Sequence, residues 1–232
     1  MMTSTTTTSK EETVARIVAT IPSCSFKGID CFYDIGGLLA NPVALQGCMD
    51  LVIERYQSCA DSFCSIGCFD ARGFLFGPIL GLALKKKVFM LRKPNKMPNV
   101  AKTWEYTKVY VRWVTSICPS WLVNQEYKGD NTSGTETLSI QHGSVKPGDR
   151  VLLIDDLMAT GGTVEAGIQL IKQCGGQVVE CGVIIELLPL NARQRIEKVD
   201  PSVRLWSLLT NKSFEWVRPY GFFFVDRARA HH

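Results

Sequence analysis

Apolar positions in this chain come in short unbroken runs, and between the runs they recur at a helical spacing. Glu11 to Thr20 reads as a short helix, which Ile21-Pro22-Ser23 breaks. Phe26 to Ile35 reads as irregular or extended, and Gly36-Gly37 permits a turn. Asn41-Pro42 starts a second helix with the proline at its first position. That helix runs to about Ser58 and gathers Ala44, Leu45, Cys48, Leu51, Val52 and Tyr56 on one face. A buried strand at Ser65 to Phe69, a loop at Asp70-Ala71-Arg72-Gly73, an apolar helix at Phe74 to Leu84 and a strand at Lys87 to Leu91 follow. Leu138 to Ile140, Val151 to Ile154, Val178 to Ile185 and Val203 to Leu208 add strands. The helices between them are Gly161 to Gln173, which Gly175-Gly176 can cap, and Leu190 to Lys198. Strands alternating with helices specify an α/β fold: a mostly parallel, doubly wound sheet with helices on both faces.

One region departs from this rhythm. Lys93 to Ser133 carries prolines at 94, 98 and 119 together with Trp104, Tyr106, Tyr110, Trp113, Trp121 and Tyr127. Its length and aromatic content suit a functional loop with structure of its own, including a strand over Val109 to Ile117.

The run Val151-Leu152-Leu153-Ile154-Asp155-Asp156-Leu157-Met158-Ala159-Thr160-Gly161-Gly162-Thr163 points to chemistry. A buried strand leads into two acids, then a loop of small residues, then a helix. At the C-terminal edge of a parallel sheet that order presents carboxylates to a ligand crevice. Ala159, Thr160, Gly161, Gly162 and Thr163 can turn backbone N–H groups and hydroxyls toward a phosphate. A Walker A loop is excluded, because Thr163 stands where the lysine would be, and the dinucleotide pattern G-x-G-x-x-G is missing.

Composition narrows the picture further. The 232 residues suit one sizeable domain or two small ones, and an apolar fraction of 46% is ordinary for a globular core. A formal charge of +4 is far from a nucleic-acid signature. Nine cysteines, an odd number and several inside apolar runs, read as free thiols in a reducing compartment, the cytoplasm. No apolar stretch approaches the roughly 18 residues of a membrane span. Met1 to Ser9 is Thr/Ser-rich and reads as a disordered tail with the marks of neither a signal nor a transit peptide.

Three strings carry a resemblance. The acid run is similar to the 5-phosphoribosyl 1-pyrophosphate (PRPP) motif of type I phosphoribosyltransferases. Phe69-Asp70-Ala71-Arg72-Gly73-Phe74-Leu75-Phe76-Gly77-Pro78 resembles the pyrophosphate loop of the adenine members of that family, and Leu91-Arg92-Lys93-Pro94-Asn95-Lys96-Met97-Pro98 their R-K-x-x-K-L-P stretch. The strings stand in the family's order, and the likeness runs from about Ile21 to Leu209, nearest to the longer enzymes of kinetoplastid protozoa. It implies conversion of adenine and PRPP to AMP and pyrophosphate. A phosphoribosyltransferase for another purine, or a non-catalytic sensor of PRPP or nucleotide, is the alternative.

The same resemblance implies roles. Asp155 and Asp156 would hold the ribose hydroxyls, with Asp155 reaching Mg²⁺ directly or through water. Ala159 to Thr163 would hold the 5′-phosphate. Asp70, Ala71, Arg72, Arg92, Lys93 and Lys96 would hold pyrophosphate, with the Asp70–Ala71 bond cis. Lys27 to Ile35 is similar to the family's adenine-reading segment, so backbone groups at Cys31 and Tyr33 would read the base and Phe32 marks the register. Leu157 would pack on the purine. Glu126, in Glu126-Tyr127, would be the general acid or base at purine N7, with Glu105 its rival. The implied layout is a tail and short helix over 1–20, a phosphoribosyltransferase domain over 21–210 and an extension over 211–232. Within the domain, a hood comes from about 21–41 with C-terminal residues, and a flexible loop spans about 93–133. A homodimer is implied, with no nucleic-acid or membrane partner.

Overall fold

The structure is a computed structural model that describes residues 9–26, 29–108 and 134–214. Helix α1 (Lys10–Ala19) opens on a capping box: Ser9 Oγ accepts from Glu12 N, and Ser9 N donates to Glu12 Oε2, both at 3.2 Å. Ser9, expected in the tail, is therefore the cap. Strands β1 (Ser23–Phe26) and β2 (Ile29–Tyr33) pair antiparallel as a separate two-stranded sheet, so the stretch expected to be irregular or extended is extended over Ile29–Tyr33 as half of a hairpin. A single turn, α2 (Gly36–Leu39), leads to α3 (Pro42–Gln57), where Asn41 Oδ1 accepts from Ala44 N at 3.0 Å and Pro42 takes the first turn.

Among the described residues the central sheet has seven strands: β3 (Ser65–Phe69), β4 (Lys87–Arg92), β5 (Val100–Lys108), β6 (Gly134–Gln141), β7 (Arg150–Met158), β8 (Gln177–Glu186) and β9 (Arg204–Thr210). Their order is β5-β6-β4-β3-β7-β8-β9. From β4 to β9 all neighbours are parallel, while β6 runs antiparallel to β4 and β5 to β6. Helices α4 (Gly73–Leu84), α5 (Gly162–Gln173) and α6 (Ala192–Val199) make the crossovers. The chain leaves β3 toward β4 on one side and β7 toward β8 on the other, so the switch point lies between β3 and β7.

Strand β5 was not expected where it is. Val100–Lys108 sits in a stretch that Pro94 and Pro98 make look irregular, yet it pairs with β6 and buries Tyr106. The strand expected over Val109 to Ile117 lies outside the described residues.

Each sheet face has its own core. On one, Ile66, Cys68, Leu152 and Ile154 meet Ile17 of α1, Met49 and Val52 of α3, and Phe76 and Leu80 of α4. On the other, Phe69, Leu91, Val151 and Leu153 meet Val164, Ile168 and Ile171 of α5 and Ile196 of α6. Burial on both faces explains why β3 and the first half of β7 read as unbroken apolar runs.

Candidate active site

Strand β7 runs on through both acids to Met158, further than its apolar run suggests. Its pairing with β3 stops at Ile154, while β8 stays paired alongside as far as Met158. Asp155 and Asp156 thus have a strand on one side and the switch-point crevice on the other. β3 ends at Phe69, and the chain passes through the Asp70–Ala71 bond, which is cis, into the first turn of α4. Gly73 lets that turn close on β7: a Cβ there would stand 2.7 Å from Ile154 O and 3.2 Å from Asp155 Oδ1.

Charges of both signs interleave along this edge. Arg92, at the end of β4, donates through Nε to Asp70 Oδ2 at 3.2 Å. Arg72 Nε lies 3.0 Å from Asp156 Oδ2, an ion pair without hydrogen-bond alignment, so that buried oxygen receives no directed hydrogen bond. Asp155 Oδ1 accepts from the Asp156 backbone N–H at 2.9 Å. Burial and the neighbouring Asp156 charge push Asp155 well above the usual carboxylate range. Burial also raises Asp156, against the lowering effect of Arg72. Both acids therefore sit where a cation or hydroxyl donors would relieve them.

Beyond Met158 the loop reaches α5 through Gly161, whose φ of 79° places it in the left-handed region. Gly162 is the first helical residue, so the open N–H groups of α5 face the loop. Ala159, Thr160 and Thr163 are half-buried around it.

The β1–β2 hairpin reaches the same crevice. The Phe32 ring lies 5.3 Å from Arg72 Cζ, which already holds Asp156. Tyr33 is buried, its ring 4.5 Å from that of Phe214, so only its backbone is available to a base. Cys31 precedes Phe32 on β2. Leu157 is half-buried beside the first core.

Lys93 is exposed and pairs with Glu136 of β6 at 3.3 Å, and Glu136 also accepts from Tyr106 at 3.1 Å. Lys96 is exposed on the next turn. Lys85-Lys86-Lys87 stands at the opposite end of β4, as its place before the strand suggests. Glu105 is an exposed residue of β5 opposite Thr137. Glu126 lies outside the described residues. Sequence reasoning missed Glu136, which β6 presents to Lys93, and the Arg195–Glu165 pair beside the Ala159 to Thr163 loop. No periodic signal marks either, since each pair forms only when distant elements meet.

A family model, "Phosphoribosyl transferase domain", matches residues 34–221. The chain is 39% identical to the adenine phosphoribosyltransferase of Photorhabdus laumondii over 78% of this chain and 85% of that protein. It is 37% identical to adenine phosphoribosyltransferase 3 of Arabidopsis thaliana, over 81% and 92%. Among solved structures, adenine phosphoribosyltransferase from Leishmania tarentolae superposes with a TM-score of 0.70 at 28% identity, covering 89% of this chain and 91% of that one. Bacterial, plant and protozoan relatives all match, and none of these singles out a kinetoplastid subgroup. The fold, the order of motifs and these likenesses agree: the chain belongs to the adenine phosphoribosyltransferase family.

Proposed function

We propose that the crevice between β3 and β7 binds PRPP along its length, with adenine seated under the hood. The reaction is adenine + PRPP → AMP + pyrophosphate. The observation that carries the site reading is the acid pair at the switch point, raised by burial, between an arginine-bearing loop and an open helix N-terminus.

The proposed roles rest on the positions above and, for the adenine contacts and Glu126, on the family resemblance. Asp155 and Asp156 accept hydrogen bonds from the ribose hydroxyls. Ala159 to Thr163 hold the 5′-phosphate at the start of α5. Arg72, Arg92 and the Asp70–Ala71 turn receive pyrophosphate and stabilise the charge it gains, with Lys93 and Lys96 at the rim. Backbone groups at Cys31 and Tyr33 read the adenine edge, and Leu157 packs on the ring. Glu126 shuttles the N7 proton.

The acids fit Mg²⁺, which uses one or two carboxylates and takes its remaining oxygens from phosphates and water. No cluster of three His, Cys, Asp or Glu side chains forms a protein cage among the described residues. Asp155 would hold the ion, directly or through water. Bound there, Mg²⁺ would neutralise the leaving pyrophosphate.

The partners are the two small molecules and a second copy of the chain. Leu75, Ile79 and Leu82 form an exposed apolar stripe on α4, with Val88 exposed on β4 nearby. Such a stripe supports a symmetric dimer, and sedimentation showing only a 25.8 kDa species would refute it. No helix among the described residues is long and apolar enough to cross a membrane. The abundant thiols support work in the cytoplasm, and the long loop and C-terminal extension support a longer, kinetoplastid-like member.

The test is a purine panel (adenine, hypoxanthine, guanine, xanthine) with PRPP, with Mg²⁺ or with EDTA. Efficient use of hypoxanthine or guanine with little use of adenine would overturn the substrate. Glu126→Gln and Glu105→Gln belong in the same assay. Loss of about 10²–10⁴-fold is expected in the first alone, and a large drop only in the second would move the role to Glu105.

A further inference from the structure

The loop Ala159 to Thr163 has no charged side chain of its own, yet the reading above gives it a dianion. The first turn of α6 walls it. A Cβ on Gly161 would stand 3.2 Å from Ala192 Cβ. One on Gly162 would stand 3.5 Å from Nη1 and 3.6 Å from Cζ and Nη2 of Arg195. The guanidinium therefore lies broadside against the first residue of α5, where the helix leaves its N–H groups open. Its Nε is committed, donating to Glu165 Oε2 at 2.5 Å. Glu165 stands in the first turn of α5, and its backbone N–H bonds Gly161 O at 2.9 Å. The side chains are 31% and 26% exposed, dry enough for their charges to act on a neighbour.

We infer that Arg195 is a positioning residue for the 5′-phosphate: a fixed cation beside the loop, oriented by Glu165. The inference rests on the reading of this loop as the phosphate cradle. Glu165 has two opposed effects. It holds the guanidinium in place, and its own negative charge offsets part of the field the phosphate feels. If the pair were only a clamp between α5 and α6, cutting either end would loosen the loop alike. If Arg195 acts by charge, the two ends differ in sign.

The test is calorimetric titration of the full chain with AMP and with adenosine, for wild type, Arg195→Gln, Arg195→Lys and Glu165→Gln. Melting curves confirm that each variant is folded. Wild type should prefer AMP. Arg195→Gln should weaken AMP about tenfold, the scale of one charge-assisted contact, and leave adenosine within about twofold. Arg195→Lys should recover most of the loss, and Glu165→Gln should keep or tighten AMP binding. Equal weakening of AMP by Arg195→Gln and Glu165→Gln, or equal weakening of AMP and adenosine, would make the pair a clamp and overturn the inference. A preference for AMP over adenosine that Arg195→Gln leaves undiminished would also overturn it, with the loop reading intact. If wild type binds adenosine as tightly as AMP, the loop reading fails and the inference falls with it.

Discussion

Strand β8 buries Glu180 and Glu186, at 1% and 2% exposure, and β7 beside it carries Asp155 and Asp156. The glutamates are saturated. Glu180 takes Arg55 Nη2 at 2.9 and 3.1 Å and Arg204 Nε at 3.0 Å. Glu186 takes Arg193 in a fork at 2.8 and 2.6 Å and Ser207 Oγ at 2.9 Å. The aspartates are not. Asp156 Oδ2 has one misaligned arginine and no hydrogen bond, and Asp155 Oδ1 accepts from the next backbone N–H. A buried acid costs several kcal/mol unless partners replace its water. On β8 the protein supplies them and the acids serve architecture. On β7 it leaves room for further partners, which the proposed ribose role would supply.

The largest expected effect breaks the saturated side. Arg193→Ala strips the fork from Glu186 and leaves its buried carboxylate with Ser207; because Arg193 is 51% exposed, water replaces part of the fork, and a loss of about 1–3 kcal/mol of stability is expected. That corresponds to a fall in Tm of roughly 3–9 °C. Below the transition, kcat/KM should stay within about threefold of wild type. Adding Glu186→Gln to Arg193→Met should restore much of the stability, because both charges then go together. A melting curve that Arg193→Ala leaves unmoved would show that Glu186 is not held as described.

The unsaturated side should respond in the opposite way. Asp155→Asn and Asp156→Asn should each lower kcat/KM for PRPP about 10–10²-fold, the scale of hydrogen bonds to a charged group. Tm should hold or rise. The sign follows from the raised Asp155 carboxyl: ionising it at neutral pH costs the fold stability, and Asn removes that cost. Below about pH 4 the acid is protonated folded and unfolded alike, and the Tm advantage should vanish. Melting in EDTA isolates the chain's own contribution. A fall in Tm with unchanged kinetics would turn this pair into another Glu186.

This contrast also marks how far the sequence could be read. Strand β3, helices α3 to α5 and the acid-to-loop order were legible because burial on two faces or at a helical period leaves a local trace. The acids were found because a run of branched apolar residues ends on them. Strand β5 was hidden by Pro94 and Pro98 upstream, although Trp104 and Tyr106 alternate with polar residues. What no local pattern reveals is partnership. Glu180 and Glu186 look no less catalytic in sequence than Asp155, and only the arrival of Arg55 from α3, Arg193 from α6 and Arg204 from β9 shows them spent. Lys93 read as a pyrophosphate ligand, and its pairing with Glu136 depends on a strand forty residues away in a sheet that had to be built first.

The smallest effect tests whether saturation, rather than burial, sets the sign of an acid's contribution. Asp200 ends α6 at the surface. Its partial burial raises its pKa, but hydrogen bonds from Lys172 at 2.8 Å and from Ser202 Oγ and N at 2.6 and 2.9 Å outweigh that and leave the carboxyl below its ordinary value. A depressed carboxyl contributes stability that is fully present above its unfolded pKa near 4 and is lost as pH falls through its folded value. Lys172 is 40% exposed, so solvent screens the pair and the contribution should stay under about 1 kcal/mol. Asp200→Asn should therefore lower Tm by only a few degrees at neutral pH, with the gap closing in acid, as the Asp155→Asn gap does from the other side. Two gaps of opposite sign converging at low pH would tie each acid's effect to its partners. If Asp200→Asn instead raised Tm at neutral pH, the partnered acid would be a burden like the unpartnered one, and the distinction between β7 and β8 would rest on depth alone.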